Sequence, residues 1–316
     1  MFINAYGFYV PAGRVPNAYY ESINGLTAEW IAQRTGIETR SRVQEGETGV
    51  TMGKAAVANA IKQLPYPIQD IDLIISAGYA PEDTVGTLAH IIQNDYHIEN
   101  AKTMMISAAC SSCVNAVELI DAYFKSGKAS KALLISSEIN STYANEEDQK
   151  CGHLWGDAAI AMFVSKDPIT THDPEIVDIT TSGLGHIGKG PEGVKLSLAK
   201  TNGGIQMEYG RDVFIHATHY MTEALNTVAT NANTTIQNLD YIIAHQANMR
   251  IISNMLHLLD IPESKSLNNI RHYGNTGSAS AFLVLMEHWH LFKKDMLVGL
   301  TVFGGGYSSG AILIRF

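Results

Sequence analysis

A cysteine between a short apolar strand and a helix is the residue of this chain best placed to act as a nucleophile. In Met104–Lys128 (MMISAACSSCVNAVELIDAYFKSGK), Met104–Ser107 reads as a buried strand, and Cys110 follows two alanines at the mouth of a helix. Cys113, Val117, Ile120 and Phe124 recur at three- and four-residue spacing and make one apolar stripe, with Glu118 and Asp121 off it and Gly127 as the stop. Ser111 and Ser112 fall in the expected first turn. The unpaired amides and positive dipole end of such a turn favour a thiolate and can hold an oxyanion. A small buried core cysteine would look the same in isolation, so the thiol needs partners.

The second half of the chain supplies candidates. DIDLIISAG (Asp70–Gly78) is echoed by NLDYIIAHQ (Asn238–Gln246), and both are followed by a helix, a loop and a small-residue turn opening another helix. Asp72 and Asp240 are 168 residues apart, as are Cys110 and Ser278, which predicts a duplicated half. Working groups in α/β sheets gather at the carboxyl ends of strands. There the second half offers His245, after the strand Leu239–Ala244, and Asn275, before the helix predicted over Thr276–His290. Gly304–Gly310 (GGGYSSG) fails as a dinucleotide loop, because the strand AILIRF follows where a helix is required. It reads instead as a tight turn between antiparallel strands whose amides can approach a ligand.

These residues need a frame of alternating strands and helices. The remaining expected elements include strands at Phe2–Val10, Ile71–Ala77, Lys131–Ser137, Gly156–Val164, Glu175–Gly183 and Leu297–Phe303, and helices at Thr27–Arg34, Thr51–Leu64, Leu88–Tyr96, Asp212–Asn231 and Met249–Leu259. Gly183–Gly204 reads as a long loop or lid. Two similar strand–helix halves, 1–168 and 169–316, predict α/β layers around sheets with mostly parallel cores. With 316 residues, 46% hydrophobic, the chain can bury a large core. Its net charge of −9 argues against a general nucleic-acid partner, whose phosphates need lysine and arginine. Apolar runs such as Ala158–Val164 are too short to span a bilayer. Three cysteines make no disulfide framework, and MFINAYGFYVPAG lacks the basic flank and apolar run of a signal peptide, so a cytoplasmic protein is expected.

Six motifs in order give the chain a resemblance to the beta-ketoacyl-ACP synthase III family of the thiolase superfamily. They are WIAQRTGI with Arg40, AACSS around Cys110, GDAAIA (Gly156–Ala161), HQANMRII (His245–Ile252), YGNTGSAS (Tyr273–Ser280) and GGGYSSG. The resemblance implies a thiolase-like five-layer α-β-α-β-α fold and a homodimer. It implies that Cys110 takes an acyl group from acyl-CoA, with the amides of Cys110 and Gly306 as oxyanion hole. His245 and Asn275 would hold the carbonyl of a malonyl thioester, on acyl carrier protein or CoA, through its decarboxylative condensation. Acyl-CoA is then a substrate, with no permanently bound cofactor and no metal. Trp30 and Arg34 match positions that flank the CoA adenine, Asn248 a pantetheine contact, Val85 a residue reaching across the dimer to the acyl pocket, and Arg250 a carrier-protein contact. Ile215, Leu256 and His257 stand where lysine or arginine is expected, Gln149 and Lys150 where an arginine meets the nucleotide phosphates, and Arg211 where asparagine is expected. These departures point to a specialised homologue, in secondary metabolism or on an unusual acyl chain.

Two other chemistries compete. Cys110 could pass its acyl group to an oxygen or nitrogen nucleophile without condensation, but Asn275 is what enolate formation needs. Cys110-x-x-Cys113 is formally a thiol–disulfide redox motif, but Cys113 belongs to the apolar stripe. His216-x-x-His219 has helical spacing but lacks the companions of a zinc site.

Overall fold

The computed structural model describes residues 1–196 and 204–316. The chain starts with β1 (Phe2–Tyr9), then a small hairpin pair, β2 (Gly13–Pro16) with β3 (Thr39–Arg42), enclosing helices α1 (Tyr19–Asn24) and α2 (Ala28–Thr35). α3 (Gly49–Ile61) leads to β4 (Leu73–Ala77), α4 (Leu88–Asp95) to β5 (Lys102–Ile106), and α5 (Ser112–Lys125) to β6 (Lys131–Ile139). The one-turn α6 (Asn140–Tyr143) and β7 (Asp157–Ser165) close the first half. The second half runs through β8 (Glu175–Gly183), the short pair β9 (Lys195–Leu196) and β10 (Ile205–Gln206), and α7 (Gly210–Asn231). Then come β11 (Tyr241–Ala244), α8 (Met249–Leu258), α9 (Ile270–Tyr273), α10 (Ser280–Glu287), β12 (Leu297–Gly304) and β13 (Ser308–Arg315).

Nine of the strands form one hydrogen-bonded order, β11-β12-β13-β8-β1-β7-β6-β4-β5, in which only β11–β12, β6–β4 and β4–β5 are parallel, so the sheets are mixed rather than mostly parallel at their cores. β1 and β8 share only the Phe2–Glu175 pair, so the order parts there into two sheets. Between the sheets lie α5 and α10, whose Cys113, Val117, Ile120, Phe124, Phe282 and Leu285 belong to one core. α3 and α4 cover the outer face of the first sheet, and α7 and α8 that of the second. This is the five-layer order. α10 shows why such a helix must lie in the middle: Phe282, Leu283, Val284, Leu285 and Met286 are all buried, on every side of the helix. Each buried side chain contributes about 1.5–3 kcal/mol. β7 is buried at all nine positions, as its apolar sequence leads one to expect of a central strand.

The internal echo reaches individual bonds. Asp72 and Asp240 each enter their strand after a 3₁₀ turn, Ile68–Asp70 and Ile236–Asn238. Each bonds the first residue of a neighbouring strand: the Asp72 carboxylate accepts from the amide of Lys131, and that of Asp240 from the amide of Leu297.

Several expected boundaries move. The helix expected over Thr276–His290 is a 3₁₀ turn, Gly277–Ala279, then α10, then a second 3₁₀ turn, because Gly277 has φ +62. The Tyr143–Gly152 loop is entered through α6. The loop expected over Gly183–Gly204 contains β9 and a 3₁₀ turn, and its residues 197–203 lie outside the described residues. α5 begins at Ser112, so Cys110 stands two residues before it, and Ser111 occupies the helix's N-cap position rather than its first turn.

Candidate active site

Cys110 sits on a sharp strand-to-helix turn. Ala109 has φ +50, left-handed backbone that costs a non-glycine residue about 1–3 kcal/mol. Serine hydroxyls hold it there. Ser112 Oγ donates to the Ala109 carbonyl and accepts from the Ala108 amide at 2.8 Å, while Ser111 Oγ donates to the Ala108 carbonyl at 2.7 Å. These serines therefore brace the turn, and neither caps α5 as the sequence led one to expect. Ser111 also meets Ser308 Oγ at 2.6 Å, which ties the cysteine turn to the glycine-rich turn of the second half.

That second turn joins β12 to β13 in antiparallel register ending at Gly304–Ser308. A side chain at Gly304 would put its Cβ 3.0 Å from the Cys110 nitrogen and 2.7 Å from the Ala108 carbonyl oxygen. Glycine is therefore what lets this backbone close on the nucleophile. Gly306 has φ +123, a conformation that favours glycine.

A cavity of about 410 Å³ brings Cys110, His245, Asn275 and Gly306 to one space. Its rim includes the exposed Pro191 and Lys195, so it reaches solvent, and its walls are largely apolar, with Trp155, Val213, Ala217, Met221 and Phe303 among them. The sulfur of Cys110 lies 3.9 Å from the hydroxyl of Tyr79. Burial, reinforced by the Glu138 carboxylate, pushes the thiol up to about 12. This corrects the expectation of a lowered thiol pKa: desolvation outweighs the dipole of a helix that begins two residues later. Glu138 is itself fully buried; burial pushes its carboxyl up to about 7, against donors from Ser278 and the Ala80 amide.

His245 follows β11 directly and is buried. Its Nδ1 lies 2.7 Å from Ser280 Oγ, which also accepts from the Gln246 amide at 3.3 Å. When the Ser280 hydroxyl donates to Nδ1, the neutral ring carries its own proton on Nε2. Burial lowers the imidazole to about 4, so the ring is neutral at pH 7. The side-chain oxygen of Asn275 accepts from the Gly277 amide at 3.0 Å, leaving its NH₂ as the free donor. The backbone of Asn275 is fixed by Leu154, Gly156 and Asn140.

The outer residues divide. Trp30 is 39% exposed on α2, with the Arg34 guanidinium 5.6 Å from its ring centroid and His153 edge-on at 5.8 Å. Arg40 is buried and structural: it donates to the His153 carbonyl and Asn17 and stacks on Tyr20, joining the α1–α2 segment to the turn before β7 that holds His153 and Trp155. Asn248 caps α8 by accepting from the Arg250 amide, and Arg250 is exposed. Val85 is 83% exposed and does not line its own chain's cavity. Leu256 is buried in the core, so its place is not part of any docking surface, whereas Ile215 and His257 are exposed. Gln149 donates to the Asn24 carbonyl and Lys150 pairs with Glu208. Cys110 and Cys113 are both free thiols, with Cys113 in the core, and His216 and His219 pair with Asp212 and Glu223. Tyr79, Glu138 and Ser280 escaped the sequence reading. Tyr79 carried a signal, since it stands just beyond the carboxyl end of β4, and so did Ser280, the last residue of YGNTGSAS.

Residues 104–185 match the family described as 3-oxoacyl-[acyl-carrier-protein (ACP)] synthase III, and residues 229–316 match its C-terminal part. A beta-ketoacyl-[acyl-carrier-protein] synthase III of Rhizobium meliloti is 32% identical over 99% of this chain and 98% of its own length. The chain belongs to this family. Among solved structures, the synthase III of Aquifex aeolicus superposes with a TM-score of 0.91 at 32% identity, covering 100% of this chain and 99% of that one. The priming beta-ketosynthase of the R1128 polyketide biosynthetic pathway gives 0.90 at 25% identity, covering 99% and 96%. The five-layer arrangement is thus the thiolase-like fold of synthase III, a family of condensing acyltransferases.

Proposed function

We propose that this synthase III loads an acyl group from acyl-CoA onto Cys110 and condenses it with a malonyl thioester to give a beta-ketoacyl product. The observation that carries this reading is the single cavity that joins the thiol to two neutral donors, His245 and Asn275, beside a glycine turn. The Cys110 sulfur attacks the thioester carbonyl, and its proton leaves on the departing CoA thiol, so a thiol that starts protonated needs no net proton acceptor. The developing oxyanion is assigned to the amides of Cys110 and Gly306. The malonyl carbonyl then lies against His245 Nε2–H and the Asn275 NH₂. Loss of CO₂ leaves the electron pair as an enolate on that oxygen, and two neutral donors stabilise it without protonating it. The enolate carbon attacks the acyl-cysteine, and the expelled thiolate regains a proton from solvent. Acyl transfer to an oxygen or nitrogen nucleophile would leave the Asn275 donor without a task.

Trp30 and Arg34 are assigned to the CoA adenine, Asn248 to the pantetheine arm and Arg250 to a carrier protein. Ile215 and His257, exposed where basic residues were expected, weaken attraction to an acidic carrier, which suits a specialised homologue. Residues 1–168 and 169–316 form the two halves. The chain is assigned to a homodimer in the cytoplasm: β5 is an edge strand and the exposed Val85 is available to a partner subunit's acyl pocket. No helix among the described residues is long and apolar enough to cross a membrane. The test is product analysis with acyl-CoA and a malonyl thioester, on carrier protein or on CoA. A beta-ketoacyl thioester with equimolar CO₂ is expected; ester or amide products in its place would overturn the condensation.

A further inference from the structure

We propose that Tyr79 sets the size of the acyl group carried by Cys110 and restricts it to short chains such as acetyl or propionyl. The inference rests on acylation of Cys110. When a thioester adds to the sulfur, the tetrahedral carbon sends its substituents apart. With the pantetheine arm assigned to the passage that reaches solvent past Pro191 and Lys195, the acyl chain is left the part of the cavity beside Tyr79. Tyr79 stands in contact with that sulfur, its hydroxyl 3.9 Å from Sγ, and lines the same cavity.

The phenol is not free to swing away. A Cβ at Gly277 would come 2.8 Å from the Tyr79 hydroxyl and 3.0 Å from Asn140 Nδ2, so the missing side chain at Gly277 is the space the hydroxyl uses. The same Cβ would be 3.1 Å from Glu138 Cγ. Behind the ring there is consequently buried polar structure, which a hydrocarbon chain does not displace cheaply. The backbone that carries Tyr79 is pinned through the Ala80 amide to the Glu138 carboxylate. Tyr79 is thus a rigid end wall.

The test is self-acylation of Cys110 by acetyl-, butyryl- and octanoyl-CoA, followed by intact-protein mass spectrometry. Wild type, Tyr79→Phe, Tyr79→Leu and Tyr79→Ala are compared, with thermal unfolding to confirm folding; Tyr79→Leu keeps an apolar filler should the alanine variant not fold. Misfit of a single methylene in an apolar pocket changes selectivity by about 10-fold or more. The octanoyl-to-acetyl rate ratio is therefore expected to rise at least that much in Tyr79→Leu or Tyr79→Ala and to stay at the wild-type value in Tyr79→Phe, which keeps the bulk. A ratio unmoved by leucine or alanine, or moved equally by phenylalanine, overturns the inference while leaving the acylation itself standing. Failure of every acyl-CoA to label wild-type Cys110 would instead overturn the parent reading.

Discussion

Removing the hydroxyl of Ser280 should separate the two half-reactions. In the native site Ser280 Oγ lies 2.7 Å from His245 Nδ1 and accepts from the Gln246 amide at 3.3 Å; in the proposed tautomer it donates to Nδ1, and the imidazole carries its proton on Nε2, the nitrogen proposed to face the enolate. Ser280→Ala leaves a buried Nδ1 without its donor. The ring can then carry its proton on Nδ1 and turn a lone pair toward the enolate oxygen. A buried polar group left unpaired costs about 1–3 kcal/mol. Taking the middle of that range at 1.36 kcal/mol per decade, decarboxylation should fall by about 30-fold. Loss of a whole oxyanion donor costs about 10²–10³-fold, which bounds the effect from above. Self-acylation does not use His245 in this scheme and should stay near the wild-type rate, and Ser280→Thr, which retains a hydroxyl, should restore decarboxylation. Single-turnover quench assays reading acyl-enzyme and released CO₂ separately make the comparison. Decarboxylation at the wild-type rate in Ser280→Ala, or equal loss of both steps, would refute the reasoning.

The other expectations are read the same way. Asn275→Ala should keep self-acylation and lose decarboxylation by about 10²–10³-fold, since it removes one of two donors; equal loss of both steps in the quench assay would count against the role. Trp30→Ala should raise KM for acyl-CoA about tenfold with kcat little changed, because stacking on a base is worth about 1–3 kcal/mol; steady-state kinetics decide it. Burial lowers His153 to about 4 against an ordinary 6.5. Between those values the unfolded chain holds a proton that the native chain does not, so stability is complete above pH 6.5 and drains as pH falls toward 4. His153→Asn should make urea-unfolding free energies less steep in that window by about 1.4 kcal/mol per pH unit, and an unchanged slope would contradict the burial argument.

What the sequence revealed follows the range of the forces involved. The nucleophile turn, the strand ending at His245 and the glycine turn depend on neighbours a few residues away, so their residue types betray them. The thiol's protonation did not show, because it is set first by burial that no local pattern records and then by Glu138, on β6. Ser280 lies within the YGNTGSAS motif, yet its bond to a ring 35 residues earlier exists only in three dimensions. Leu256 was misread as a surface position because an amphipathic helix hides which flank of its stripe meets the core; in α8 that flank packs with Ile252 and Met255. Tyr79 was absorbed into a loop because no periodicity marks a side chain that turns inward from a strand end.

Pulse–chase of the purified protein, followed by intact-mass spectrometry, tests the central claim most directly. One acyl group should appear on Cys110 after exposure to acetyl-CoA, persist when CoA is removed, and clear only on addition of a malonyl thioester. An adduct on another residue, none at all, or clearance by an alcohol or amine alone would contradict it.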